Sequence, residues 1–560
     1  MKKTSIAIAF ILAAFNAGAQ DMYDGLTFSS NEYYGTARSI GMGNAMTAVG
    51  GDLGSIGINP AGSAVYNYSQ FTISPGITIS SETGSYSAYA VNGSDVFKNP
   101  QKTDLTRFSL PNIGATFNFD TGNRSGLKAF TFGFLVNGTN NFTDKMIAGG
   151  SNDKNSYLGY LASNALGLDT DYLNGYGCYD ESGEFVDFTE RNTEYPYYNA
   201  DRNWYAPWNI VTGAQAGGIS IYGTPDPDDD SYYERYIAVT QDMTSKGVLG
   251  TLNQAYGRLT TGSKYDVIFN FGLNFNENFY VGANLGITSF SYNYDEYFKE
   301  AADDPSDFVL DYDEGNTCFS DCRSRYSYAA EGTGAYLKVG FIALPVAGLR
   351  IGGAIQTPTW STIKEIWQNS CDVNFLDTKF NGSATSPEGN WSYTFRSPYR
   401  ANIGAAYSFL GMVLVSADYE MTDYSKMKFG TDEPGWDTDY SDVNSDIKDC
   451  MGISHSVRVG AEFKPVPELA VRAGYNFTMT PEYSYSQTFK TTLKDKLNAL
   501  SVGLGYSSKG SFFADLAARM IMYSDESISP YATYSENLGS PLILNKRERY
   551  NLVATFGWRF

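Results

Sequence analysis

The chain has one histidine, His455, so any general-base or haem-ligating chemistry that needs an imidazole must pass through it. It alternates with Val457, Val459, Ala461 and Phe463. On a strand those residues share one face, and a histidine on an oil-facing row is remote from substrate. A histidine-dependent hydrolase and a haem receptor are both set aside on that ground. Of the five cysteines, Cys178, Cys318, Cys322, Cys371 and Cys450, the close pair Cys318 and Cys322 could bridge across a tight loop in an oxidising compartment. No histidine stands near them to complete a zinc set. Asp226, Asp228, Asp229 and Asp230 resemble a calcium loop only loosely: Ser231 stands where the glycine belongs, and no glutamate closes the pattern. They read as a solvated acidic loop. Gly41-x-Gly43 has Met46 in place of the third glycine of a dinucleotide fingerprint, and no G-K-[ST] follows. No catalytic constellation, metal or cofactor is expected, and the chain is not expected to be an enzyme.

The elements around these residues are strands. Amphipathic segments fall near 70–80, 107–119, 127–142, 263–275, 279–297, 325–345, 349–367, 389–409, 411–427, 453–464, 469–480, 496–507, 511–524 and 547–560, fourteen in all. In 265–275, Tyr265, Val267, Phe269, Phe271, Leu273 and Phe275 oppose Asp266, Asn270, Gly272 and Asn274. Connections alternate strictly. Those at 120–126, 276–278, 346–348, 410, 465–468 and 508–510 are short. Those at 81–106, 143–262, 298–324, 368–388, 428–452, 481–495 and 525–546 are long. Short turns on one side and long loops on the other describe a closed antiparallel barrel spanning a membrane, and the even count returns both termini to the short-turn side. At lumen parity stand Arg458 and Arg472, which could meet a ligand carboxylate or pair with Glu462.

The composition agrees. There are 44 Tyr, 35 Phe and 57 Gly, which suits a wall with aromatic girdles. A net charge of −21 makes nucleic acid a poor partner. Lys2 and Lys3 precede an apolar run from Ile6 to Phe15, then Ala17-Gly18-Ala19, which reads as a cleaved signal peptide over 1–19. The chain closes on Y-N-L-V-A-T-F-G-W-R-F, with Trp558 two residues before the terminal Phe560. That ending resembles the last strand of Gram-negative outer-membrane barrels, where it is read by the barrel-assembly machinery.

Residues 20–69 precede the first strand and differ from the rest. Residues 35–62 are dense in Gly and Ala and contain A-R-S-x-G-M-G-x-A, then Gly50-Gly51-Asp52, then Asn59-Pro60-Ala61. A fourteen-strand lumen is too wide for its own side chains to fill, and a compact segment of small residues suits a block for it. These motifs, with the strand count and the terminal strand, resemble the outer-membrane long-chain fatty acid and hydrocarbon transporter family (FadL/TodX type). The resemblance implies a lumenal hatch over 20–69, with Gly50, Gly51, Asp52, Asn59, Pro60 and Ala61 as its marks. A barrel over 70–560 follows, its largest loop at 143–262. The implied activity is passive uptake of hydrophobic or amphiphilic molecules by a monomer embedded in outer-membrane lipid. The implied exit is sideways, through a gap at the third strand, where Gly133 and Gly138 lie beside Pro111 of the second. A structural or adhesive barrel with large surface loops is the alternative.

Overall fold

A computed structural model describes residues 21–88, 97–165, 207–221, 236–242, 246–312, 315–432, 440–486, 489–492, 496–534 and 538–560, with short pieces between 168 and 205. The expected signal peptide and the acidic run beginning at Asp226 lie outside the described residues.

Fourteen antiparallel strands close on themselves. They are β1 (Gln70–Ser87), β2 (Lys98–Asp120), β3 (Leu127–Asn141, continued as Asp144–Asn152), β4 (Leu252–Phe275), β5 (Phe279–Ala302), β6 (Gly315–Val346) and β7 (Leu349–Gln356, continued as Trp360–Phe375). Then come β8 (Gly389–Arg396, continued as Arg400–Phe409), β9 (Val413–Asp423), β10 (Ile453–Val466), β11 (Leu469–Met479), β12 (Lys496–Ser507), β13 (Phe512–Met522) and β14 (Leu542–Arg559). Each pairs with the next, and β14 pairs with β1 from Gln70↔Arg559 to Ser87↔Leu542. Two further backbone bonds tie the seam: Ser69 N–H to Phe560 C=O at 3.1 Å and the reverse at 2.9 Å. Closure leaves no sheet edge at the seam to expose amides to lipid.

Period-two alternation sets which side chains face out. Phe269, Phe271, Val471, Tyr475, Leu552 and Phe556 are exposed on the outer wall, while Asp266, Asn270, Arg472, Asn551 and Thr555 are buried inside. His455 lies on the outer row, with Tyr419 Oη 2.7 Å from its Nδ1. At the short-turn end the rings of Phe71, Phe512 and Trp558 pack together, and Phe117 meets Phe560 with centroids 6.2 Å apart. Exposed apolar walls rimmed by rings at the turns are the mark of a barrel that crosses a bilayer.

Several strands run past the expected limits. β4 and β5 each hold 24 residues and β6 holds 32, against about ten needed to cross the hydrocarbon. Their outer parts stand above the membrane, where both faces are wet and oil-facing alternation no longer marks the strand. Pro358 and Pro398 interrupt β7 and β8 side by side. Proline cannot donate to a ladder, and Ser397 closes the gap, its N–H donating to Thr359 C=O at 3.0 Å and its Oγ accepting from Thr359 N–H at 2.9 Å.

Two expectations need correction. Residues 144–152, read as loop, continue β3 and pair with 252–260; the polar run Asn137–Thr143 hides the strand because it does not alternate. Cys318 and Cys322 do not share a loop. They lie four residues apart on the extended β6, about 13 Å along a strand, beyond disulfide reach, and both are thiols.

The connection after β3 forms an outer cap. Its helix Tyr157–Asn164 is preceded by Ser156 as N-cap, and the buried Glu300 of β5 takes the N–H of Tyr157 at 2.6 Å and Ser156 Oγ at 2.8 Å. The helix Trp208–Gln215 and the paired segments Ile219–Ile221 and Tyr236–Ala238 belong to it as well.

A closed barrel of this kind resists detergent. The protein is expected to migrate faster on gels unboiled than boiled, and removal of Phe560, which carries both seam bonds to Ser69, is expected to lower the folded fraction. Equal migration of the two samples would contradict a closed barrel.

Candidate functional site

The lumen is occupied by the chain's own N-terminal segment. Its 3₁₀ turn Pro60–Val65 lies at the turn end, just before β1 begins at Gln70, and the residues before it run up the tube. Its first helix, α1 (Met22–Ser29), begins with a capping box between Asp21 and Asp24. Thr36 caps the short helix Ala37–Gly41, and Asp52 caps Leu53–Ile56 while also accepting from Thr36 Oγ1 at 2.6 Å. Burial pushes the Asp52 carboxyl up, against the pull of Arg38. Gly50 and Gly51 sit at φ +62° and +65°, a region glycine enters freely.

Asn59-Pro60-Ala61 opens the 3₁₀ turn Pro60–Val65. Asn59 is fully buried and fully used. Its Oδ1 accepts from Ala61 N–H at 3.1 Å, and its Nδ2 donates to Thr47 C=O at 2.6 Å and to Phe341 C=O of β6 at 3.0 Å. Pro60 carries no N–H to satisfy there.

The wall is shaped for this segment. Lumen-facing glycines stand in register: Gly272 opposite Gly282, Gly282 opposite Gly340, Gly352 opposite Gly404, and Gly460 opposite Gly474. A Cβ on Gly282 would lie 2.3 Å from Pro60 C, on Gly340 2.2 Å from Asn59 Oδ1, on Gly352 2.3 Å from Thr47 O, on Gly460 2.3 Å from Met42 O, and on Gly474 2.1 Å from Gly43 N. The segment's backbone is therefore seated in a groove that only glycine can line.

Polar wall groups satisfy its carbonyls. Lys338 Nζ donates to Gly57 C=O (2.8 Å), Arg350 to Val49 C=O (2.6 Å), Asn270 to Pro60 C=O (3.0 Å) and Asn284 to Ile56 C=O (2.9 Å), while Asp418 takes Thr47 N–H (2.7 Å). Arg458 and Arg472 face the lumen and are buried. Arg458 pairs with Glu420, donates to Asn44 C=O at 3.4 Å and stacks on Tyr33. Arg472 pairs with Glu462 (2.6 Å) and Asp515 (2.5 Å), and Glu462 also holds Arg38 at 3.1 Å. Both arginines are engaged by carboxylates in this state.

Higher in the tube, α1 fills an aromatic chamber. Phe28 stacks on Phe290 with centroids 4.7 Å apart and meets Tyr292 and Phe395 edge-on. Lys264 donates to the carbonyls of Phe28 (2.8 Å) and Ser30 (2.9 Å), and Arg400 to that of Ser29. Beside them lies a polar cavity of about 20 Å³, lined by Asn31, Lys264, Asp266, Gln356 and Arg400. It has room for a water or two.

The wall is discontinuous between β2 and β3. Their ladder runs from Asp120↔Ala129 to Asn112↔Asn137 and stops, although β2 continues outward to Lys98, paired on its other side with β1. Pro111 sits at the stop, opposite a bulge at Pro75, and Gly138 is the first β3 residue beyond it. Gly133 lies inside the intact ladder, opposite Thr116. Phe108 and Leu110 face outward beside the break, Phe108 being 75% exposed.

Arg549 of β14 also pairs with Glu32 at 3.0 Å and with Asp144 at 2.8 Å, and neither this trio nor the glycine groove, a partial ring, is among the residues the sequence singles out. A lumen-facing glycine at one level on successive strands is the signal that would have found the ring. For the charged trio there is no local signal, since its members are brought together only by closure.

No protein-family model and no curated protein match the sequence. The chain is similar to solved barrels: a Pseudomonas aeruginosa FadL homologue (12% identity, covering 95% of this chain and 98% of that one, TM-score 0.47), the P. putida toluene transporter TodX (11%, 94% and 99%, 0.45) and the Ralstonia pickettii toluene transporter TbuX (13%, 94% and 99%, 0.43). The barrel itself rests on the strand pairing. What the fold and site define is a transmembrane β-barrel of the outer-membrane class with an internally occupied lumen.

Replacing Gly474 by valine is expected to unseat the segment at Gly43. Small-ion conductance in planar bilayers should rise while the heat-modifiable barrel persists; unchanged conductance would show that the groove is not needed. A second expectation concerns acid. Burial works against the Glu32 carboxylate, but Arg549 and Arg519 outweigh it and hold its carboxyl below the ordinary 4.5. A lowered value means that its contribution is complete above 4.5 and is lost only as pH falls through the lowered value. The difference in conductance between Glu32→Gln and the intact protein should therefore hold constant down to pH 4.5 and shrink only below it, and a difference that already shrinks near pH 6 would exclude control through the Glu32 charge.

Proposed function

We propose that the protein is a passive outer-membrane uptake channel for hydrophobic or amphiphilic small molecules, in which the N-terminal segment is a movable plug and the ligand leaves sideways between β2 and β3. The observation that carries this reading is the end of the β2–β3 ladder at Asn112–Asn137, at the level where the plug lies against the wall. A barrel meant only to anchor surface loops gains nothing from such a break, since unpaired amides near lipid are costly. The plug's fastening supports the same reading. It is held by individual polar bonds to its carbonyls and a glycine-lined seat, contacts that release one by one.

The ligand enters through the outer cap and displaces α1 from the aromatic chamber of Phe290, Tyr292 and Phe395. Lys264 and Arg400, released from the carbonyls of Phe28, Ser29 and Ser30, then offer cations to a polar head. The ligand passes the plug and reaches the bilayer between Pro111 and Gly138.

Mass spectrometry of molecules co-purifying with the barrel, followed by titration with fatty acids, steroids and aromatic hydrocarbons, tests the ligand class; at least one saturable binder is expected. Asn59→Ala with Pro60→Ala should slow uptake of that binder with little change in barrel yield. Removal of 21–62 should leave a barrel that assembles and conducts small ions. A deleted form as tight as the intact one would refute the plug and shift weight to an adhesive or structural role.

A further inference from the structure

Where β3 parts from β2, its freed groups are met from inside the tube. Glu32 N–H donates to Thr139 C=O at 2.8 Å and Tyr34 N–H to Gly138 C=O at 3.0 Å. Asn140 reaches Ser30 Oγ at 2.9 Å. Beyond Thr143 the chain turns inward and runs as Asp144–Asn152 behind β1 and β2. Ser80 Oγ donates to Asp144, and Thr103 Oγ1 to Lys145 C=O. Gly84 leaves room for its passage, since a Cβ there would lie 2.4 Å from Ile147 O.

One guanidinium joins the two pieces that cover the break. Arg549 of β14 donates from Nη1 to both Glu32 oxygens, at 3.0 and 3.2 Å, and from Nη2 to both Asp144 oxygens, at 2.8 and 2.9 Å. The arginine side chain is 2% exposed, so the bridge is dry. Around it, Tyr34 and Tyr523 donate to Glu32 and Arg547 donates to Asp144 at 3.0 Å. A buried guanidinium between two carboxylates is firm while both are present, and loss of either leaves a charge uncompensated.

We infer that Glu32, Arg549 and Asp144 form a latch that ties the position of the plug to that of the inward β3 segment Asp144–Asn152, so that one displacement of the plug frees the inner cover of the wall break. The inference rests on the gating reading above and adds that the β3 segment moves with the plug, through these three residues. Neither its stability nor its test requires ligand.

The test is hydrogen–deuterium exchange followed by mass spectrometry on the mature full-length barrel in detergent, without ligand, for Glu32→Gln, Asp144→Asn and the double variant. Glu32→Gln should accelerate amide exchange across 144–152, more than a hundred residues away in sequence, on the order of tenfold. Asp144→Asn should do the same, and the double variant should exchange no faster than either single one, the pattern of groups acting as one unit. Exchange in β11 and β12, which do not touch Glu32 or Asp144, should not change. The latch is overturned if Glu32→Gln leaves 144–152 untouched, if the two effects multiply, or if exchange rises uniformly around the barrel. Because no transport is measured, failure here leaves the uptake reading standing, and failure of uptake leaves this result standing.

Discussion

Every backbone amide within the bilayer must find a partner in the protein, and the rest of the architecture answers to that demand. It forces the strands into a closed ring, with β14 returning to β1 and Phe560 bonding Ser69 at the join. Fourteen strands then enclose more space than their side chains fill. The space is taken by residues 21–69, and their own carbonyls and N–H groups become a second set of buried polar groups to satisfy. Lys338, Arg350, Asn270, Asn284 and Asp418 exist in the wall as the answers to that second demand.

The one place where the first demand is relaxed is between β2 and β3, and there the second set of partners takes over. Glu32 and Tyr34 supply N–H groups to the carbonyls that β2 has abandoned. Plug and wall are thus chemically interchangeable at this point. Any displacement of this segment would remove the partners of Gly138 and Thr139 as well, so the carbonyls at the ladder's end stay satisfied only while it is seated.

The architecture was open to reading from the chain because oil on one face and a wet interior on the other write period two directly into the residues. Val471, Arg472, Ala473 and Gly474 already alternate outward and inward before any fold is drawn. Turn and loop lengths added the topology. The pattern fades where that solvent contrast disappears. Above the membrane β4 to β6 continue unseen, and at Asn137–Thr143 the polar run concealed both the bend and the strand that follows it. The site was legible in part. Asn59-Pro60-Ala61 and Gly50-Gly51-Asp52 lie in the segment inside the lumen, and Pro111 with Gly138 lies at the ladder's end. The partners of Arg458 and Arg472 were only half anticipated, with Glu462 foreseen and Glu420 and Asp515 not, because which lumen charges meet depends on the register of strands distant in sequence.

The glycine groove also bears on the order of assembly. The plug is seated on β4 through β11 over most of its length, with Met42, Gly43, Thr47, Asn59 and Pro60 each pressed to within a missing Cβ of the wall. A ribbon held so closely, and clasped through Arg38 by Glu462 and through Glu32 by Arg549, threads far less readily into a finished cylinder than it shifts within one. Seating it while the sheet is still an open, curved surface, with β14 swinging in last to meet β1, would avoid that passage. The terminal strand that carries the closing Phe560 is then also the strand that brings Arg549 to Glu32, so the step that completes the wall is the same step that fastens its contents.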